Sequence, residues 1–322
     1  MIWWILGAVA VVLILTVLIL AYVSYRMAFY VPPKHRRKPK PDIPTGEEFK
    51  PYRQDMENWL RDCRSLHWEP VSITAFDGLK LTGKLYEYAP GAPVEIMFHG
   101  YRGTAERDLS GGVHRCRLLK RSCLLVDQRC SGGSDGKAIT FGICEHKDCL
   151  RWVDFVVERL GPDVKIILTG ISMGAATVLT AAGKPLPKNV IGVLSDCGFS
   201  TPGEIIRKVM ADKGLPPKLL YPFARLGAWL FGGFNLEETS AMEAMKTCTV
   251  PVLFIHGEED GYVPCDMSRQ MFEACSSRKR LLTVPGADHG LSFPKDPEGY
   301  LTALREFFGP EASFEEKTQP ST

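Results

Sequence analysis

The chain has 322 residues, 45% of them hydrophobic and 24% charged, with a net charge of +2. That is an ordinary globular composition with material for one large domain or two modest ones. So small a net charge gives no electrostatic footprint for a nucleic-acid partner, and much of the positive charge is local.

Residues 1–25 carry no charged side chain, and Ile2 to Val23 is almost continuously apolar. At about 1.5 Å per residue this run crosses a hydrocarbon core of ~30 Å. Trp3 and Trp4 mark one end, and Tyr22, Tyr25, Phe29 and Tyr30 mark the other, as interfacial aromatic belts do. A cleaved signal peptide fits poorly: no basic segment precedes the run, the run is too long, and no small-x-small cleavage site follows. The expectation is a retained single-pass helix that holds the chain in a lipid bilayer. Arg26, Lys34, Arg36, Arg37, Lys38 and Lys40 all follow the span, which places the remainder on the cytoplasmic side. Residues 26–50 hold Pro32, Pro33, Pro39, Pro41 and Pro44 and read as a basic, semi-rigid stalk. A chain beginning near Pro44 is then expected to be soluble and active. The ten cysteines form no C-x-x-C pair and no zinc-spaced cluster, so they read as reduced structural thiols.

The main domain is expected over 51–309. An amphipathic helix over Arg53–Leu66 comes first, with Met56, Trp59, Leu60, Cys63 and Leu66 at helical spacing. Extended runs Glu69–Phe76 and Leu81–Tyr88 follow, joined by the tight-turn pair Asp77-Gly78. From Val94 the rhythm is strand, glycine-bearing loop, helix. Strands are predicted at 94–98, 123–126, 165–169, 190–194, 250–255 and 280–284, and helices near 108–120, 145–160, 173–182, 266–276 and 298–308. This alternation indicates an α/β fold: a mostly parallel sheet with an antiparallel N-terminal edge and helices on both faces. The longest interval between strands, about 199–249, is apolar and broken by prolines, and reads as a short helical insertion over the carboxyl edge of the sheet, where ligands bind. Residues 310–322 read as a disordered tail.

One stretch carries the chemistry. In Lys165-Ile-Ile-Leu-Thr-Gly170-Ile-Ser172-Met-Gly174 a β-branched run stops at a glycine, and a serine sits between strand and helix. That is the G-x-S-x-G nucleophile elbow in its strand–turn–helix setting. A serine hydroxyl needs a base, and the base an orienting acid. Both appear in loops that directly follow strands: Asp260 in His256-Gly-Glu-Glu-Asp260-Gly-Tyr-Val-Pro264, and His289 in Gly286-Ala-Asp288-His289-Gly290. Together with His99-Gly100-Tyr101, Asp127-Gln-Arg-Cys-Ser-Gly132-Gly-Ser134 and Ser195-Asp196-Cys-Gly, these motifs make residues 94–308 resemble an α/β-hydrolase of the serine aminopeptidase-like and prolyl-oligopeptidase-like esterases and peptidases.

The resemblance implies Ser172 as nucleophile, His289 as base and Asp260 as the acid that orients it. It also implies an oxyanion hole from the backbone amides of Tyr101 and Met173. Asp196, also at a strand end, is the alternative acid. Asp127 reads as the anchor of its loop, Glu258 and Glu259 as solvent-facing neighbours, His99 and His256 as structural, and His114 and His146 as surface residues. Trp229 and Tyr262 are candidates to line a substrate pocket, while Phe231 reads as core. The glycine cluster at 131–136 has neither phosphate-loop nor dinucleotide spacing, and no metal or cofactor is expected. The expected activity is hydrolysis of a carboxylic ester, thioester or amide, with an ester favoured. A peptidase or an acyltransferase would use the same residues. A non-catalytic binding protein on the same fold is the reading from another class.

Overall fold

Eight strands form one sheet: β1 (Glu69–Thr74), β2 (Lys80–Tyr86), β3 (Val94–Phe98), β4 (Ser122–Asp127), β5 (Ile166–Ile171), β6 (Val190–Asp196), β7 (Val252–Gly257) and β8 (Lys279–Val284). The computed structural model describes residues 1–32 and 42–315. The strand order is β1-β2-β4-β3-β5-β6-β7-β8, with the β1–β2 and β2–β4 pairs antiparallel and the pairs from β4 through β8 parallel. Strands β3, β5, β6 and β7 are almost wholly buried, because helices cover both faces and each strand reads as a continuous apolar run.

Side-chain alternation assigns the two faces. Val94, Ile96 and Phe98 of β3 join Trp152, Val153 and Val156 of α4 (Glu145–Leu160) and Val178 and Leu179 of α5 (Met173–Ala182) in one core. Met97, one residue out of phase, packs on the other face with Leu109 and Val113 of α3 (Ala105–Leu118). Cys63 of α2 (Arg53–Ser65) joins that second cluster. Farther along the same face, α11 (Pro297–Phe308) covers Ile167, Leu194 and Leu253. Under the second face Glu95 is fully buried between Arg115 and Arg121, at 2.5 Å from Arg115. Burial alone would raise its carboxyl, but the two guanidiniums overcome that and hold it at about 2.

Helix α1 (Ile2–Ala28) is the one described helix long and apolar enough to cross a membrane, and its side chains are exposed through Ile19. Its last turns are packed. Ala21, Tyr25 and Phe29 are buried against α7 (Pro217–Gly227) and the turn Ala228–Gly232, inside the 199–249 insertion. The chain then pairs with the body: Val31 N–H donates to Lys137 O and Ile139 N–H to Phe29 O, both at 2.9 Å. Most of the basic and proline residues expected to form the stalk, 33–41, lie outside the described residues. What flanks them is docked rather than free, since Ile43 is buried beside Met56 and Leu60. The tail differs from expectation at its start. Ala312 is buried, Phe314 N–H donates to Lys120 O, and the Phe314 ring meets Tyr88. Residues 316–322 lie outside the described residues.

Candidate active site

Ile171 ends β5 and Met173 begins α5, so Ser172 turns strand into helix by itself. It does so at φ 56° and ψ −116°, a region that L-residues rarely occupy. A Cβ at Gly170 would lie 2.1 Å from Gly174 O, and one at Gly174 2.0 Å from Phe98 O. Both flanking positions are therefore closed to any side chain. Ser172 N–H donates to Asp196 O at 2.8 Å, which ties the turn to the end of β6.

His289 and Asp260 reach this turn from the loops after β8 and β7. His289 Nε2 lies 2.9 Å from Ser172 Oγ, and His289 Nδ1 lies 2.7 Å from Asp260 Oδ2. With a carboxylate as its only acceptor, Nδ1 carries the proton, which leaves Nε2 free to accept from the serine hydroxyl. Asp260 is itself held: Oδ1 accepts from Tyr262 N–H at 2.9 Å and Val263 N–H at 2.7 Å. Burial would raise its carboxyl, but hydrogen bonds from His256 and His289 keep it at about 2. Asp288 Oδ1 accepts from Gly261 N–H and His289 N–H and so clamps the two loops together. No pattern of residue types marks Asp288 for that role.

Tyr101 stands in the loop after β3. That loop passes close to the serine: a Cβ on Gly100 would be 3.6 Å from Ser172 Cβ. His99 sets its shape, since Nε2 accepts from Gln128 N–H and Nδ1 donates to Gly100 O. The loop also leans on the apolar N-terminal helix, because Tyr101 Oη donates to Ala28 O at 2.7 Å and Arg102 to Met27 O at 2.9 Å. Val31 packs in the same cluster as Tyr101 and Met173. Sequence patterning could not reveal this link, because carbonyls at a helix end leave no mark in residue type.

The other candidates separate clearly. Asp196 is buried and accepts from Ser292 Oγ and Tyr300 Oη, away from the imidazole. Asp127 anchors its loop through Gly133 N–H and Ala105 N–H. His256 is buried between Ser268 Oγ and Val263 O. His146 is a correction: it is buried, with Nδ1 on Gly142 O, whereas half-buried His114 stacks on Trp59. Glu258 and Glu259 are exposed. Cys197 Sγ lies within 4.8 Å of the Asp260 and His289 donor atoms. Both ring nitrogens of His289 are already engaged there, and burial raises the Cys197 thiol well above its ordinary value, so the group is poorly suited to a metal.

Ser172 and His289 open into a cavity of about 530 Å³. Tyr101 and Tyr262 line its mouth, and Phe49, Met56, Trp59, Met97 and Phe293 supply apolar walls. No residue of the 199–249 insertion lines it. The insertion borders the site from behind, where Phe199 and Ile205 pack on Met173. Trp229 is therefore a correction: 64% exposed, it lines a separate groove with Arg207, Lys218 and Arg225. Phe231 is likewise not core but half exposed, with its ring against Tyr22 and Tyr25 of α1. Both residues follow α7 outward to α1, which a linear sequence does not reveal.

Residues 96–303 match the alpha/beta hydrolase family model. The chain belongs to that family. This α/β hydrolase is similar to the uncharacterized protein YqkD of Bacillus subtilis, 29% identical over 61% of this chain and 64% of that protein. It is also similar to the lysophosphatidylserine lipase ABHD12 of Danio rerio, 26% identical over 59% of this chain and 49% of that one. The match thus spans less than two thirds of either relative. A solved esterase of Pyrococcus furiosus superposes with a TM-score of 0.63 at 22% identity, over 83% of this chain and 96% of that one.

Proposed function

We propose that this α/β hydrolase is a membrane-anchored serine esterase that works through an acyl-enzyme. The observation that carries the reading is the continuous relay Ser172 Oγ–His289 Nε2 and His289 Nδ1–Asp260 Oδ2, at 2.9 and 2.7 Å. As Ser172 Oγ bonds to the substrate carbonyl carbon, its proton passes to His289 Nε2 and the carbonyl π pair becomes an oxyanion. The N–H groups of Tyr101 and Met173 are the donors for that oxyanion. Collapse breaks the bond to the leaving oxygen, which takes the proton from His289, and water then repeats the sequence on the acyl-enzyme. Asp260 stays ionised and stabilises the imidazolium.

The cavity favours an ester with an apolar acyl group. Its volume suits a small-molecule pocket, and Phe49, Met56 and Trp59 give it an apolar wall. A fluorophosphonate probe tests the chemistry: the full chain should label, and Ser172→Ala should not. Equal labelling of both would overturn the proposal. Faster turnover of aminoacyl-arylamides than of p-nitrophenyl esters would replace the esterase by a peptidase.

Retention in a bilayer is supported by the length and exposure of α1, and a cytoplasmic catalytic body by Arg26, Lys34, Arg36, Arg37, Lys38 and Lys40 beyond it. Under a carbonate wash the full chain should stay with membranes.

A further inference from the structure

Helix α7 of the insertion presents differing faces. Tyr221, Ala224 and Ala228 are buried in the cluster that holds Tyr25 and Phe29. The contact with α1 is backbone to backbone at Gly227, where a Cβ would lie 2.2 Å from Ala21 O. Away from that seam the surface is apolar and open: Leu219 is 63% exposed, Trp229 64%, Leu230 42% and Phe231 40%. Beside it runs a groove of about 820 Å³ whose cations are Arg207, Lys218 and Arg225.

The charges in that groove are unevenly satisfied. Arg225 is paired with Glu237 at 2.8 Å, and Glu237 also accepts from Tyr221 Oη. Arg207 lies 3.7 Å from the Tyr221 ring centroid. Among the described residues neither Arg207 nor Lys218 meets a carboxylate. An exposed basic groove edged by tryptophan and leucines is what an interfacial lipid contact requires.

The height of this face is fixed by α1. Residues 2–20 rise about 1.5 Å each, roughly 28 Å in all, close to a hydrocarbon core of ~30 Å. The next residues, Ala21 and Tyr22, are those that meet the insertion, with the Tyr22 and Phe231 rings 5.2 Å apart and edge-on. The exposed apolar face of α7 and of the turn Ala228–Gly232 therefore lies level with the headgroup zone.

We propose that this face is a lipid-docking site: Leu219, Trp229, Leu230 and Phe231 enter the headgroup–acyl boundary, and Arg207 and Lys218 take the phosphate of an anionic phospholipid. The proposal rests on the reading of α1 as a retained span. Docking adds orientation to that anchor. It holds the Tyr101 loop, bonded to Ala28 six residues past Tyr22, within about 10 Å of the headgroups. An ester in the bilayer then lies a short distance from the cavity.

The test uses the full chain in nanodiscs of phosphatidylcholine, with and without phosphatidylglycerol, containing lipids brominated near the headgroup. The difference in emission between the chain and Trp229→Phe isolates Trp229. The expected result is at least twofold quenching of that component, deeper with phosphatidylglycerol, and loss of the phosphatidylglycerol effect in the double variant Arg207→Glu, Lys218→Glu. An unquenched Trp229 in a chain that resists a carbonate wash overturns the docking and leaves the anchor standing. Release of the full chain by the wash overturns the anchor, and the docking with it. Inorganic phosphate added to the detergent-solubilised chain should leave Trp229 emission unchanged. A shift there would make the groove a site for soluble phosphate and overturn the lipid assignment.

Discussion

The cavity at Ser172 has two walls built on different rules. The strand-end wall places Ser172, Asp260 and His289 on turns that directly follow β5, β7 and β8, each turn held by close backbone contacts and hydrogen bonds. The N-terminal wall comes from Phe49, Met56 and Trp59, and is continued behind the Tyr101 loop by the carbonyls of Met27 and Ala28. The first wall is held by glycines that no side chain can replace and by hydrogen bonds of 2.7 to 2.9 Å. The second is held by apolar packing and by hydrogen bonds that span 70 or more residues of sequence. The Ser172–His289–Asp260 relay thus rests on the turns that end β5, β7 and β8, while part of the pocket wall comes from chain segments that precede the family-matched region, 96–303.

Breaking the first wall should have the largest effect. Ser172→Ala and His289→Ala should each lower kcat on a p-nitrophenyl ester by at least about 10⁴-fold, and Asp260→Asn by about 10⁴-fold, with KM little changed. Next is removal of the segment behind the Tyr101 loop. A chain beginning at Pro44, expected from the sequence to be soluble and active, lacks the acceptors for Tyr101 Oη and Arg102, so its kcat should fall roughly 10²-fold, the scale of a misplaced oxyanion donor. Unchanged kcat in a folded chain of this kind would reduce the second wall to packing alone.

The two walls also differ in pH response. The Asp260 carboxyl, at about 2 in the folded chain, lies below its ordinary value. Its contribution to stability is complete above that ordinary value and is lost as the pH falls toward 2, on the order of 2 kcal/mol. Asp260→Asn should flatten this acid dependence in denaturant titrations, while Trp59→Ala should leave its slope intact. On activity, Trp59→Ala should reduce kcat/KM for long-chain p-nitrophenyl esters about tenfold relative to acetate, by opening the apolar wall. Tyr101→Phe should have the smallest effect, about 1 kcal/mol or some fivefold in kcat at constant KM, through one lost hydrogen bond to Ala28 O.

Much of this was legible because it is local. The elbow at 170–174 is written in residue type, since a Cβ at either glycine would overlap backbone. The buried strands are written in β-branched runs, and the chain order Ser172, Asp260, His289 follows from loops after strands. The insertion was legible as an apolar, proline-broken segment, but not its direction. Leu219, Trp229 and Phe231 look equally suited to a pocket, a core or a lipid face. His146 looked like a surface residue because its helix is amphipathic, yet Gly142 O and the surrounding core enclose it.

The sequence by itself determined the fold, the order of its strands and helices, and the serine, acid and histidine to which the proposed nucleophilic chemistry is assigned. Those follow from steric limits and periodicities that act within a few residues. Only the tertiary structure decided that the apolar insertion turns toward α1 rather than over Ser172, that residues 44–59 wall the cavity, and that Asp260 rather than Asp196 faces the imidazole. Those are contacts between distant segments, set by which faces find partners once the sheet has formed.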